Sequence, residues 1–130
     1  ANNIYNNVLY KSSGSIVLSG IILYDSGVFN VKNNIVQGFS SFGIDMNAGV
    51  SAICSNNAFF GNADGAAHNV NCAYSVIADP MMTDPENGNF TLQRNSPAID
   101  AGTNVNLTTD YAGNRVPVGS APDIGAFEYQ

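Results

Sequence analysis

Charge is what this sequence has least of. Only 11% of its 130 residues are Asp, Glu, Lys or Arg, against roughly a quarter in ordinary globular chains. Four are basic, Lys11, Lys32, Arg94 and Arg115, and they do not cluster; the formal net charge is −6. Phosphate binding needs clustered cations, so composition speaks against a nucleic-acid partner. Tryptophan is missing and His68 is the single histidine, which excludes a metal site built from several imidazoles. No apolar run approaches the roughly 20 residues of a membrane-spanning helix. Two cysteines are too few to indicate a redox compartment. The first residue is Ala and no leader is visible; the expectation is a removed signal peptide or a segment of a longer chain.

Hydrophobic residues make up 45% of the chain, enough for one domain with one core. Polarity is carried by Asn, Ser, Thr and Gly, with 19 asparagines. Asparagine is depleted in strands and favoured in turns, yet it recurs in pairs inside strand-like segments. Asn6-Asn7 lies in IYNNVLY, Asn33-Asn34 in VKNNIVQ and Asn56-Asn57 in CSNNAFF, at spacings of 27 and 23. A further step of 23 lands on Asp79-Pro80. Apolar columns accompany the pairs: Ile4, Val31, Cys54 and Ile77; Val8, Ile35, Ala58 and Met81; Leu9, Val36, Phe59 and Met82.

Such a period, with short strands and no leucine-rich pattern, points to a solenoid. The fold expected is all-β: a short right-handed parallel β-helix of three to four coils. Coils stack at the inter-strand spacing of about 4.8 Å. Asn7, Asn34 and Asn57 then form a ladder at one bend, because Asn tolerates the left-handed conformation and bonds its neighbours above and below. The same register predicts a second inward column of Val17, Ile44 and Ala67 and puts the extra residues of the first coil around 19–27. Glycines 14, 20, 27, 38, 43, 49, 61 and 65 are read as bends. Residues 1–80 are the coils and 81–130 a loop-rich capping segment of the same domain, with Phe90, Leu92, Ile99, Ile124 and Phe127 to shield the last apolar layer.

The stretch ADPMMTDPENGNFTLQRNSPAIDAGTN, followed by DYAGN and APDIGAFEYQ, resembles the carboxyl-terminal end of secreted right-handed β-helix proteins of the pectate-lyase-like superfamily. The resemblance covers about residues 76–130. It implies the β-helix fold, an extracellular or cell-surface location and contact with polysaccharides, including lyase activity. No catalytic motif of that superfamily maps onto this chain residue by residue.

Lyases of that kind use a Lys or Arg base, often with calcium; Lys11 and Lys32 are isolated, and Lys32 falls in an outward column with Tyr5 and Ser55. Asp45 and His68 each lie eleven residues after an Asn-Asn marker. They are therefore expected side by side on adjacent coils as an outward acid–base pair, the one candidate catalytic constellation. DPENGN offers Asp84 and Glu86 as calcium candidates, though without a complete loop spacing. Asp100 and Asp123 read as turn-capping residues, and Arg115 as a partner of Asp110 or Asp123. Cys54 and Cys72 are expected as free thiols, with a disulfide as the alternative. NFT at 89–91 and NLT at 106–108 match glycosylation acceptors.

The leading expectation is a non-catalytic extracellular module, structural or polysaccharide-contacting. The alternatives are the terminal part of a polysaccharide lyase with its catalytic coils upstream, and a self-assembling surface or filament subunit. Residues 1–9 read as a coil strand with no cap in front, which exposes an edge for self-association.

Overall fold

The computed structural model describes residues 1–12 and 18–130. Among the described residues eleven short strands come first: β1 (Asn2–Tyr5), β2 (Val8–Tyr10), β3 (Ile21–Leu23), β4 (Val28–Lys32), β5 (Ile35–Gln37), β6 (Phe42–Met46), β7 (Ser51–Ser55), β8 (Ala58–Phe60), β9 (Gly65–His68), β10 (Cys72–Ala73) and β11 (Val76–Ile77). They pair in parallel as β1-β4-β7-β10, β2-β5-β8-β11 and β3-β6-β9. The chain visits the three sheets in turn and lays each circuit on the last, giving a solenoid-like stack. An antiparallel hairpin of β12 (Met82–Asp84) and β13 (Asn89–Leu92) follows, joined by a 3-10 turn at Pro85–Asn87. That turn is the only helical element among the described residues.

The two asparagines of each pair do different work. Asn6, Asn33 and Asn56 adopt φ of 53°, 60° and 55°. They supply the left-handed residue that turns the chain from the first sheet into the second, at lower cost than a branched side chain. The second asparagines form the ladder. Asn7 donates to Asn34 Oδ1 through its backbone N–H and its Nδ2, both at 3.0 Å. Asn34 does the same to Asn57 Oδ1, at 2.9 and 3.0 Å. The remaining amide hydrogens reach backward, from Asn34 to Ile4 O and from Asn57 to Val31 O, each at 2.9 Å. Asn34 and Asn57 are fully buried, so every carboxamide must be paired, and the stacking pairs them.

Alternation along the strand explains the two adjacent apolar columns, because successive side chains point to opposite faces. Val36 and Phe59 lie in the coil interior with Ile21, Val31, Ile44 and Cys54, and Leu9 packs against them. Their neighbours Ile35 and Ala58 face the other way and cluster with Met82, Leu92, Ala98 and Ile124, joined by Val8 and Val76. The carboxyl-terminal segment therefore packs along the flank of the stack, against the outer face of β2-β5-β8-β11. This corrects the expected end cap. An apolar outer face on that sheet has to be covered, whereas Ile77 in the last coil remains 67% exposed.

Four other expectations change. The fourth coil begins at Cys72, which pairs with Cys54, and Val76 pairs with Ala58. The last step is thus 18 residues, and Asp79-Pro80, Ile77, Met81 and Met82 do not continue their columns as a constant step of 23 required. Cys54 and Cys72 are consequently neighbours with Cα atoms 4.4 Å apart and form a disulfide, not two free thiols. In the third sheet Ile44 pairs with Ile21 and Ala67. Val17 lies outside the described residues, as does Gly14. Since Tyr10 pairs with Gln37 at an offset of 27 and Ile21 with Ile44 at 23, the extra residues lie between Tyr10 and Ile21, not across 19–27. Gly43 is no bend but part of β6, where an added Cβ would sit 2.6 Å from Phe59 Cδ1.

Replacing Asn34 with Leu strands Ile4 O and the Asn7 N–H and removes a donor from Asn57. We expect a loss of about 1–3 kcal/mol, the cost of unpaired buried polar groups, measured by urea unfolding. An unchanged midpoint would contradict a structural role for the ladder.

Candidate functional site

Four carboxylates of the carboxyl-terminal segment hold backbone N–H groups, and the turn role expected of Asp100 is present: it accepts from Ala121 N at 3.1 Å. Asp123 accepts from Asp100 N at 2.7 Å and Tyr129 N at 2.6 Å. Glu128 accepts from Asp123 N at 2.9 Å and Val118 N at 3.1 Å. Asp110 accepts from the N–H groups of Ala112, Asn114 and Glu128 at 2.8–2.9 Å. Burial raises the pKa of Asp123 and of Glu128 above the ordinary carboxylate range, against the pull of these hydrogen bonds. Asp110 is the opposite case: burial pushes it up, but its bonds from Glu128, Asn114 and Ala112 outweigh that and leave its pKa lowered. The turn role expected of Asp123 is therefore present. Arg115 is not its partner, nor that of Asp110; among the described residues the one ion pair is His68–Asp45.

The first asparagine of each pair docks this segment to the coils. Asn6 donates to Gly125 O at 3.1 Å, Asn33 to Thr103 O at 2.8 Å and Asn56 to Ala101 O at 3.1 Å. Asn33 Oδ1 accepts the Thr103 N–H at 2.8 Å. Two glycines lie at this contact: a Cβ on Gly102 would lie 2.7 Å from Pro122 O and 3.1 Å from Asn33 Oδ1, and Gly125, whose φ of 105° favours glycine, packs against Ile35.

A groove of about 610 Å³ opens where the first coil, the β12–β13 hairpin and this segment meet. Its aromatic walls are Tyr5, Phe90, Tyr111 and Phe127, and its polar atoms include Asn6, Thr109 and Asp110. The Asp110 carboxylate sets the wall by holding Glu128 N, and Tyr111 N donates to Ala126 O at 2.9 Å. Tyr111 and Phe127 meet edge to face with centroids 5.7 Å apart, and Tyr111 is 85% exposed. A second groove of about 630 Å³ runs along 102–108 and 116–122, and Leu107 lines both. Sequence reasoning placed Phe90 and Phe127 in a core and Tyr5 in a surface column. It missed the groove because its walls come from four distant parts of the chain.

Asp45 and His68 are adjacent as the register predicts, with Nδ1 and Oδ1 2.9 Å apart on paired positions of β6 and β9. Phe42 stacks on the imidazole, with centroids 4.7 Å apart and planes 11° from parallel. Neither residue lines the two grooves. The calcium candidates do not form a ligand set: Glu86 accepts the Tyr10 hydroxyl and Asp84 accepts Asn87 Nδ2 at 2.9 Å. Among the described residues no three His, Cys, Asp or Glu gather at metal distance. The Glu86 bond, then burial and the neighbouring charges of Glu86 and Asp84, push the Tyr10 phenol up to about 12. Lys32 pairs with Tyr5 and Ser55 in the column expected. No protein-family model, curated protein or solved structure matches the chain.

Asp110→Asn should lower stability by about 1–3 kcal/mol at neutral pH, since it weakens charge-assisted bonds. Because the folded pKa of Asp110 lies below 3.8, its contribution is complete above the unfolded value and is lost as pH falls through the folded one. Thermal melts of both proteins should differ by a constant amount above about pH 5 and converge below 3.8. A gap that widens on acidification would overturn this role.

Proposed function

We propose that this chain is a non-catalytic, polysaccharide-contacting module of an extracellular right-handed parallel β-helix, of the kind found in the pectate-lyase-like superfamily. The observation that carries the reading is the groove walled by Tyr5, Phe90, Tyr111 and Phe127. Aromatic faces take up the apolar C–H faces of sugar rings, while nearby amides, hydroxyls and a carboxylate bond the equatorial hydroxyls. The rest of the chain supplies rigid support on the stack. A non-catalytic role is favoured because Lys11 and Lys32 are separate from each other and neither lines this groove, so no clustered base faces a bound sugar. The Asp45–His68 pair is the remaining acid–base candidate and lies on another sheet.

Titration of a polysaccharide panel by calorimetry, with Tyr111→Ala beside the parent, tests this reading. We expect binding to weaken about 2- to 10-fold in the variant, the scale of a single aromatic contact, without release of unsaturated product from pectate. Equal affinity of the two proteins, or steady product release, would refute it.

A second reading, self-assembly through the first coil, is favoured by one observation. Asn34 and Asn57 each accept two bonds from the preceding coil, whereas Asn7 Oδ1 accepts none among the described residues. Strands β1, β2 and β3 are also sheet edges. A second copy would complete the ladder there. Sedimentation over a wide concentration range should then show a dimer or larger species that Asn7→Lys abolishes; a strict monomer would remove this reading.

A further inference from the structure

The two grooves differ in chemistry, and together they restrict what kind of polysaccharide fits. The first sets four aromatic rings beside Asn6, Thr109 and Asp110; the second sets Thr103, Asn104, Asn106 and Ser120 among Val116 and Pro122, and apolar surface predominates in both. They flank one loop and share Leu107, which is 40% exposed between them. Each has the volume of a small-ligand site, about 300–1,000 Å³, and the two adjoin at Leu107. Among the described residues no lysine or arginine lines either groove, and the one charged lining residue is Asp110. The whole chain carries a formal charge of −6.

A uronate polymer brings a carboxylate on every unit. In these grooves it would meet no cation, one fixed anion and a negative long-range field, an unfavourable juxtaposition of like charge. Neutral sugars meet no such penalty. Their hydroxyls find amide and hydroxyl partners in one groove, and their ring faces find aromatic walls in the other. Resting on the reading of the groove as a sugar site, we propose that the ligand is a neutral, linear glycan laid across Leu107, with the aromatic groove stacking one part of the chain and the amide–hydroxyl groove orienting the next.

The test uses calorimetry on the 130-residue chain at low salt. The probes are cellohexaose, xylohexaose and mannohexaose, their disaccharides, and hexameric oligogalacturonate. We expect at least one neutral hexamer to bind 10-fold or more tightly than both its own disaccharide and oligogalacturonate. Leu107→Glu should reduce binding of that hexamer at least 5-fold, and unchanged hexamer affinity would overturn the shared track; circular dichroism confirms that the variant is folded. Tighter binding of oligogalacturonate that Tyr111→Ala weakens would keep the aromatic groove as a sugar site and overturn the neutral ligand. Equal affinity for hexamer and disaccharide would overturn the continuous track. Absence of binding by every probe would overturn the sugar site itself and this inference with it.

Discussion

Carboxamides stacked one above another at a single bend hold the coils in register. A parallel stack has no hairpin to set which residue faces which, so register must come from side chains that fit only one alignment. Asn7, Asn34 and Asn57 supply it: each carbonyl oxygen in the second and third coils receives the backbone and side-chain N–H groups of the coil before. A slip by one residue would leave buried amides unpaired and move both apolar columns of the second sheet to the wrong faces. The apolar interior depends on that alignment, and so does the row of outward asparagines that docks the carboxyl-terminal segment.

That segment is held by two sets of polar contacts of different kinds. Asn6, Asn33 and Asn56 attach it to the coils, one bond or more per coil. Asp110, Asp123 and Glu128 fold it upon itself by collecting backbone N–H groups that a loop-rich segment cannot pair in a sheet. Ile124 and Ala98 fill the space between these contacts against Ile35 and Ala58. The aromatic groove is a consequence of this arrangement. Tyr111 and Phe127 are brought together by the Asp110–Glu128 connection, and Tyr5 borders them because its neighbour Asn6 holds Gly125 O.

Much of this was legible in the residues alone. The spacing of the Asn pairs determined which strands stack, that the chain is all-β, which apolar positions share a column, and that Asp45 and His68 are neighbours. These follow from a repeat, because identical local conformations stacked in parallel put equivalent positions in contact. The pattern failed where the repeat failed. The last coil is shorter, so Cys72 rather than Ile77 meets Cys54, and the disulfide could not be read from spacing.

What only the tertiary structure decided concerns contacts between parts that share no period. Two adjacent apolar columns identify a sheet buried on both faces, but not what covers the second. That cover is the carboxyl-terminal segment, because its apolar residues and its close-approach glycines match the outer face of the sheet. The aromatic groove has the same origin. Tyr5, Phe90, Tyr111 and Phe127 lie far apart in sequence and become one surface only once the segment is docked. Local sequence dictates backbone conformation and periodic stacking through short-range sterics and hydrogen bonding; the meeting of non-repetitive segments depends on the shape and burial of surfaces that exist only after the coils have formed.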